Sequence, residues 1–108
     1  MKKHLNNILP VATSHNVGLK RVLLSAEESG CAITQIAVTD LKAGEVVAAH
    51  PHSDMQEGFY VLSGELDIVL DEVTEHCKSE DFVWVSCGSS HELRAITDVR
   101  VMTIGCEM

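Results

Sequence analysis

The sequence predicts an all-β protein, and three observations lead to that prediction. Short runs rich in β-branched and aromatic residues alternate with turn signals along most of the chain. Several runs alternate apolar and polar positions, so that Leu66, Ile68 and Leu70 share one face while Asp67 lies on the other. A long amphipathic helix is hard to place anywhere. About eight short strands at this spacing are typical of a sandwich or barrel.

The predicted strands cover most of the chain after residue 18. They are Leu19–Leu24, Ala32–Thr39, Glu45–His50, Phe59–Leu62, Glu65–Leu70, Phe82–Val85, His91–Ile96 and Arg100–Ile104. Ser25–Ser29 predicts one helical turn, and Asp71–Ser79 predicts either another turn or a hairpin connection. The length of 108 residues fits one domain. We therefore expect an N-terminal arm at residues 1–18 and a single β-barrel domain at residues 19–108.

Composition and charge exclude several function classes. Hydrophobic residues make up 45% of the chain, which is enough for a packed core and argues against disorder. The formal charge of −8 disfavours nucleic acid and anionic membranes as partners. Lys2 and Lys3 are followed by no apolar segment of the kind that a signal peptide needs, and no run is long enough to cross a bilayer. We expect a cytoplasmic protein whose four cysteines are reduced and mostly buried.

The segment from Gly44 to Gly64 carries the clearest chemical pattern. His50 and His52 are two residues apart, which on a strand places both imidazoles on one face, roughly 6.5–7 Å apart along the chain. Glu57 follows after a loop-like tetrapeptide. Two histidines and one carboxylate leave open coordination positions for water or substrate, as in non-haem iron sites.

A fourth candidate ligand, His91, lies well downstream in an alternating run. If His91 faces inward, Leu93 and Ala95 do so too. An inward histidine alone is more often a hydrogen-bonded core residue than a ligand. The presence of His50, His52 and Glu57 elsewhere in the chain favours the ligand interpretation.

These residues carry a resemblance to the cupin superfamily. The first cupin motif is matched at every defined position by the spacing Gly44-x5-His50-x-His52-x4-Glu57-x6-Gly64. The segment Glu80–Ala95 resembles the second motif, in which Gly88 and His91 match. It departs from that motif at Glu80, Ser86 and Ala95, where the family has Gly, Pro and Asn. The family's Pro stiffens the turn before the histidine, so Ser86 raises the question of what holds that turn.

The resemblance implies a cupin double-stranded β-helix, a jelly-roll-like barrel, of the small, single-domain, RmlC-like kind. It implies one divalent transition metal (Zn, Fe, Ni, Mn or Cu) held in the barrel by His50, His52, Glu57 and His91. Many cupins pair through an outer sheet, so a homodimer is expected by resemblance.

Three functions fit such a site. The first is a metal-dependent isomerase or lyase acting on a small polar molecule such as a sugar or sugar acid. The second is an iron-dependent dioxygenase, because three histidines and one glutamate suit iron(II) as well. The third is a ligand-binding or sensor protein without turnover. Fold alone does not choose among them.

Parity and position predict the places of several further residues. Phe59 should lie on the interior side with Glu57. Trp84 is expected in the core or at a dimer interface. Surface positions are expected for His4, His15 and His76. Open alternatives remain for Gln56 (pocket or loop packing), Cys87 (redox-sensitive or buried thiol) and Arg94 (solvated or anion-binding at the rim).

Overall fold

The chain folds almost entirely into β-strands. The computed structural model describes residues 1–13, 15–51 and 54–107, and it gives His50 and Pro51 by their backbone alone. The strands are β1 (Val11–Ala12), β2 (Leu19–Ser25), β3 (Ile33–Leu41), β4 (Val46–Pro51), β5 (Met55–Ser63), β6 (Leu66–Leu70), β7 (Val73–Cys77), β8 (Phe82–Val85), β9 (Ser90–Ala95) and β10 (Val99–Glu107). A short 3-10 helix covers Leu5–Asn7, and the helical turn α1 covers Ala26–Ser29.

Two antiparallel sheets face each other. The larger sheet has the strand order β1-β2-β3-β10-β5-β8, and the smaller has the order β4-β9-β6-β7. From β3 onward the described connections cross between the sheets, apart from the hairpin that joins β6 to β7. This winding produces a double-stranded β-helix of jelly-roll type, which confirms the predicted fold class.

The core lies between the two sheets and follows the period of two that the sequence predicted. Leu66 and Ile68 on β6 are completely buried, and they meet Val61 and Val101 from the larger sheet. His91, Leu93 and Ala95 are likewise buried on one face of β9, so the predicted inward parity of that run is correct. The core face of β9 therefore carries a histidine at its N-terminal end.

The helical turn predicted at Ser25–Ser29 is present as α1. Ser25 caps it, since the Ser25 hydroxyl accepts from the Glu28 backbone N–H and the Glu28 side chain accepts from the Ser25 backbone N–H. The Lys3 ammonium donates to the Glu28 carboxylate at 2.7 Å and, as the largest cause, lowers the pKa of that group. The capped turn thus connects the beginning of the chain to the end of β2.

The segment Asp71–Ser79, expected as a turn or hairpin connection, contains a full strand. β7 pairs with β6 through a two-residue turn, from Leu70 opposite Val73 to Leu66 opposite Cys77. It is an edge strand whose residues are exposed apart from Cys77, so it lacks the alternation that identifies half-buried strands. Its polarity also suits a sheet edge, where charged residues discourage pairing with other chains.

The N-terminal segment contacts the larger sheet. Val11 of β1 pairs with Lys20 of β2, and the Arg21 guanidinium donates to the Ile8 carbonyl at 3.2 Å. The Thr13 hydroxyl donates to the Val17 carbonyl at 2.6 Å. The strand pairing and the Arg21 bond hold the arm against β2, and the Thr13 bond closes a turn within the arm.

Gly64 and Glu80 are two of the turn positions that adopt a left-handed backbone. Gly64 has φ +88°, and a Cβ there would lie 2.1 Å from the Asp98 carbonyl oxygen, so glycine is needed for both conformation and space. Glu80, which replaces the glycine of the second motif, has φ +75°. A non-glycine residue in that region is uncommon and strained.

The cysteines are only partly as expected. No disulfide joins the four, all of which the structure describes, but Cys31 is exposed and Cys87 and Cys106 are half-buried. Only Cys77 is a core residue, and burial raises the pKa of its thiol, which makes it a poor nucleophile. Within the described residues, no helix has the length and apolar character needed to cross a membrane.

Candidate metal centre

Glu57 and His91 meet inside the barrel although they lie on different sheets. His91 Nε2 is 3.5 Å from Glu57 Oε1, and the His91 side chain is 5% exposed against 14% for Glu57. Glu57 lies on β5, opposite Gly105 of β10 and Val85 of β8, while His91 is the second residue of β9. The structure therefore brings together two of the four predicted ligands.

The separation of these two atoms fits a shared metal ion. Ligand atoms at about 2.0–2.2 Å from one ion, at angles between about 90° and about 110°, lie about 2.8–3.6 Å from each other. An ordinary N–H···O hydrogen bond would be shorter, at about 2.7–3.2 Å. Imidazole and carboxylate are both ligands of the divalent transition metals. The two described side chains fit such an ion on distance and on chemistry.

The His91 ring is held by its neighbours. The Phe59 ring packs against it, with centroids 5.6 Å apart and planes tilted by 54°, a common aromatic arrangement. Phe59 is buried on the same side of β5 as Glu57, as parity predicted. A single aromatic residue therefore contacts one candidate ligand and lines the cavity beside the other.

The turn before His91 is anchored by the β6–β7 turn. The Asp71 backbone N–H donates to the Ser90 carbonyl at 2.9 Å, and Asp71 Oδ1 accepts from the Ser90 N–H at 3.1 Å. The Ser89 N–H donates to the Ser86 carbonyl at 3.2 Å. These three bonds fix the backbone next to His91 in a chain where Ser86 stands in place of the family's proline.

The remaining two predicted ligands are described less fully. The His50 backbone lies directly opposite that of His91 in the pairing of β4 with β9, after a register shift between Val47 and His50. His52 lies outside the described residues. Among the side chains that the structure does describe, no group of three or more His, Cys, Asp or Glu residues is placed to hold a metal ion.

A cavity of about 230 Å³ lies over the Glu57–His91 pair. Its lining comes from both sheets and from the arm. The lining residues are Thr13, His15, Lys20, Gln35, Ala37, Thr39, Leu41, Val47, Met55, Glu57, Phe59, His91, Leu93, Val101 and Thr103. This volume is below the range of about 300–1,000 Å³ that is typical for drug-sized ligands, so it suits a small molecule.

Sequence reasoning missed several polar residues of this lining, among them His15, Lys20 and Gln35. His15 was expected at the surface, but it lines the cavity together with Thr13 of the arm and is only half-exposed. No spacing rule could have identified it, because its place depends on the pairing of β1 with β2. Gln35 lies on β3 at a position whose inward parity follows from Ala37 and Leu41.

Several further side chains lie outside the cavity. Trp84 is 44% exposed and therefore not in the core, and its indole N–H donates to Gln56 Oε1 at 3.1 Å. Gln56 is thus engaged on the outer side of β5 and is absent from the cavity lining. Arg94 is exposed and pairs with Glu92, as expected for a solvated side chain. His4 and His76 are exposed, as predicted.

A second, larger cavity of about 650 Å³ lies elsewhere, along Asp40, Glu45, Asp98 and Arg100. Arg100 in its lining already has an anionic partner, because the guanidinium donates twice to the Asp40 carboxylate, at 2.8 and 3.1 Å. That hydrogen bonding raises the pKa of Arg100. This cavity contains none of the predicted ligands, so the Glu57–His91 cavity is the candidate site.

The fold and the inward histidine–carboxylate pair define a β-barrel protein of the cupin class. The sequence pattern of the cupin domain matches residues 37–105, well over half of the chain. The chain belongs to the cupin family. A comparison with curated proteins gives no match.

Solved structures agree with this fold at low sequence identity. A predicted oxalate decarboxylase from Thermotoga maritima has a TM-score of 0.93 and 23% identity, with 100% of both chains covered. Ectoine synthase from P. lautus has a TM-score of 0.85 and 21% identity, covering 99% of this chain and 78% of that one. KdgF from Halomonas sp. has a TM-score of 0.76 and 13% identity, covering 89% and 84%.

Proposed function

We propose that this cupin binds one divalent transition metal through His50, His52, Glu57 and His91 and uses it on a small polar molecule, such as a sugar or sugar acid. The observation that carries the proposal is the 3.5 Å approach of His91 Nε2 to Glu57 Oε1 at the wall of a small cavity. The backbone pairing of His50 with His91 supports it, because paired residues of neighbouring strands lie close together.

The chemistry that we propose is of the isomerase or lyase type. A divalent ion in the site would polarise a carbonyl or hydroxyl oxygen of the substrate and stabilise negative charge that develops there. Glu57 would be occupied as a ligand, so a different group has to move protons. His15 is the described imidazole of the lining that stands outside the ligand set.

The residues of this chain would exclude water and orient the substrate. Phe59 and Leu93 supply buried apolar surface beside the pair, which lowers the local dielectric and strengthens electrostatic interactions. Thr39 and Thr103 add hydroxyl groups to the lining. Two of the proteins with similar structures carry enzyme names, a predicted oxalate decarboxylase and an ectoine synthase, which supports a catalytic role.

Elemental analysis of the untagged protein, purified without chelator, tests the metal. We expect about one transition-metal ion per chain in the wild type and a loss of most of it in His91→Ala, since a ligand is removed. His76→Ala is the matched control, because His76 is exposed and bonded to Asp67 on the outer face of β6 and β7. It should retain the metal.

The outcomes separate the alternatives. A wild-type protein that contains no metal and takes up none when Zn, Fe, Ni, Mn or Cu is supplied would overturn the proposal and favour a metal-free binding protein. Full metal content in His91→Ala would overturn the ligand assignment. About one iron per chain, with oxygen consumed in the presence of an organic substrate, would favour a dioxygenase over an isomerase or lyase.

A further inference from the structure

The cavity carries a cation that the metal site does not use. We propose that Lys20 and Gln35 form a carboxylate-binding subsite, so that the ligand of this cupin is a small carboxylic acid with a carbonyl or hydroxyl group at its other end. This inference rests on the proposed function for the carbonyl or hydroxyl group, which the metal would bind. The carboxylate subsite itself can be tested in metal-free protein.

Lys20 is the cation of the described cavity lining. It is half-buried on β2, and its ammonium group donates to Gln35 Oε1 at 3.3 Å, a neutral acceptor at the long end of the hydrogen-bond range. Within the part of the chain that the structure describes, Lys20 forms no ion pair. A charge placed in a partly desolvated cavity with only an amide partner is suited to binding an anion.

This arrangement contrasts with the treatment of other cations in the molecule. Four other cations have a carboxylate within ion-pair distance: Lys3 with Glu28, Arg21 with Asp40, Arg94 with Glu92, and Arg100 with Asp40. Lys2, Lys42 and Lys78 form no ion pair within the described residues, but all three are exposed to water, whereas Lys20 is half-buried. Acidic residues outnumber basic ones by 16 to 8 in the sequence, so carboxylates are plentiful. An ion partner for Lys20 is therefore expected from outside the chain, in the cavity that it lines.

The position of Lys20 sets the size of the ligand. Lys20 is on β2 and Glu57 on β5, with β3 and β10 between them in the sheet. Strands about 4.8 Å apart place the two backbones about 14 Å apart along the sheet, and both side chains reach inward from there. The space left between the Lys20 and Glu57 side chains, within a cavity of about 230 Å³, fits an acid of a few carbon atoms.

The surface between the two ends suits such a molecule. Ala37, Val101 and Phe59 offer apolar contacts for a carbon skeleton, while Thr39 and Thr103 offer hydroxyl groups.

Lys20 also pairs with Val11 of the arm, and Thr13 and His15 continue the wall on that side. The carboxylate end of the ligand would thus lie on the side of the cavity that the arm completes.

Calorimetric titration with matched probes tests the subsite. D-glucuronate is compared with D-glucose, and pyruvate with hydroxyacetone, in metal-loaded and metal-free protein. We expect the wild type to bind at least one acid about tenfold to hundredfold more tightly than its neutral counterpart, as for a hydrogen-bonded charge. Lys20→Met, which removes the charge but keeps most of the length, should abolish this preference. Lys20→Arg should keep most of it.

The controls make the result specific. Lys42→Met removes an exposed lysine outside this cavity and should leave the preference unchanged. Metal content and the thermal midpoint of Lys20→Met should match the wild type, which shows that the barrel and metal site are intact. The subsite proposal is overturned if Lys20→Met keeps the preference, if the neutral probes bind equally well, or if neither acid binds the wild type at up to about 10 mM.

The same experiment separates this inference from the proposed function. A preference for acids that depends on Lys20, in a protein that takes up no metal when it is supplied, would support the subsite and contradict the metal centre. Full metal content in Lys20→Met, together with unchanged affinity for the acids, would support the metal centre and contradict the subsite.

Discussion

Glu80 is a position where the residue type and the backbone conformation disagree. It occupies a turn with φ +75°, and its backbone N–H donates to the Val61 carbonyl at 2.7 Å, so the conformation is fixed by the barrel. The family has glycine at this place in the second motif. A left-handed conformation costs an ordinary L-residue about 1–2 kcal/mol, which the surrounding hydrogen bonds have to offset.

Glu80→Gly should therefore stabilise the protein. The relief of strain exceeds the extra entropy that glycine gains in the unfolded chain, about 0.5–1 kcal/mol, so we expect the free energy of unfolding to rise by about 0.5–1 kcal/mol. Urea denaturation measures the change. Glu72→Gly removes the same charge from an exposed position whose φ is negative, and it should not stabilise. Equal gains in both variants would attribute the effect to charge and not to backbone strain.

At the scale of elements, the hairpin of β6 and β7 supports the candidate site although it contributes no residue to the cavity lining. Its turn residue Asp71 is bonded twice to Ser90, the residue that precedes His91. The sequence could not reveal this contact, because Asp71 and Ser90 are far apart in the chain and β7 lacks alternation. The alternating run of β6, in contrast, was predicted residue by residue, since its inner face is completely buried at Leu66 and Ile68.

Replacing Asp71 should weaken metal binding without removing a ligand. Asp71→Ala deletes the side-chain acceptor of the Ser90 N–H and loosens the backbone before His91, so we expect about tenfold weaker affinity for zinc. Asp71→Asn keeps an oxygen at the same place and should retain most of the affinity. Competition with a chelating dye measures both. Unchanged affinity in Asp71→Ala would show that the turn does not position His91.

At the scale of the whole molecule, the two sheets share one core, and its most buried residues should dominate stability. Ile68 is fully buried between the sheets, so Ile68→Ala should lower the free energy of unfolding by about 2–5 kcal/mol. Val73→Ala is the control, since Val73 is 61% exposed at the sheet edge, and it should cost much less. Chemical denaturation compares them; similar losses would contradict the assigned core.

The sequence could predict the winding of the barrel but only part of the site. The motif residues Glu57 and His91 were assignable because their spacing is conspicuous, and the structure places them together. Lys20 and His15 were not, because they enter the cavity through long-range pairing of β1, β2 and β3, which leaves no local pattern. Local periodicity reports which face a residue occupies, whereas cavity membership depends on how the faces are assembled.

The single tryptophan has a practical consequence for studying this protein. Trp84 is bonded to Gln56, the chain neighbour of Glu57, and it is the only residue of its kind in the sequence. Its ultraviolet emission is therefore free of overlap from other indoles and depends on the hydrogen bond to Gln56. A ligand or metal ion that shifts Glu57 and the adjoining part of β5 should alter the wavelength or intensity of that emission. We expect the emission of this native fluorophore to report on occupation of the barrel interior in real time, without a dye.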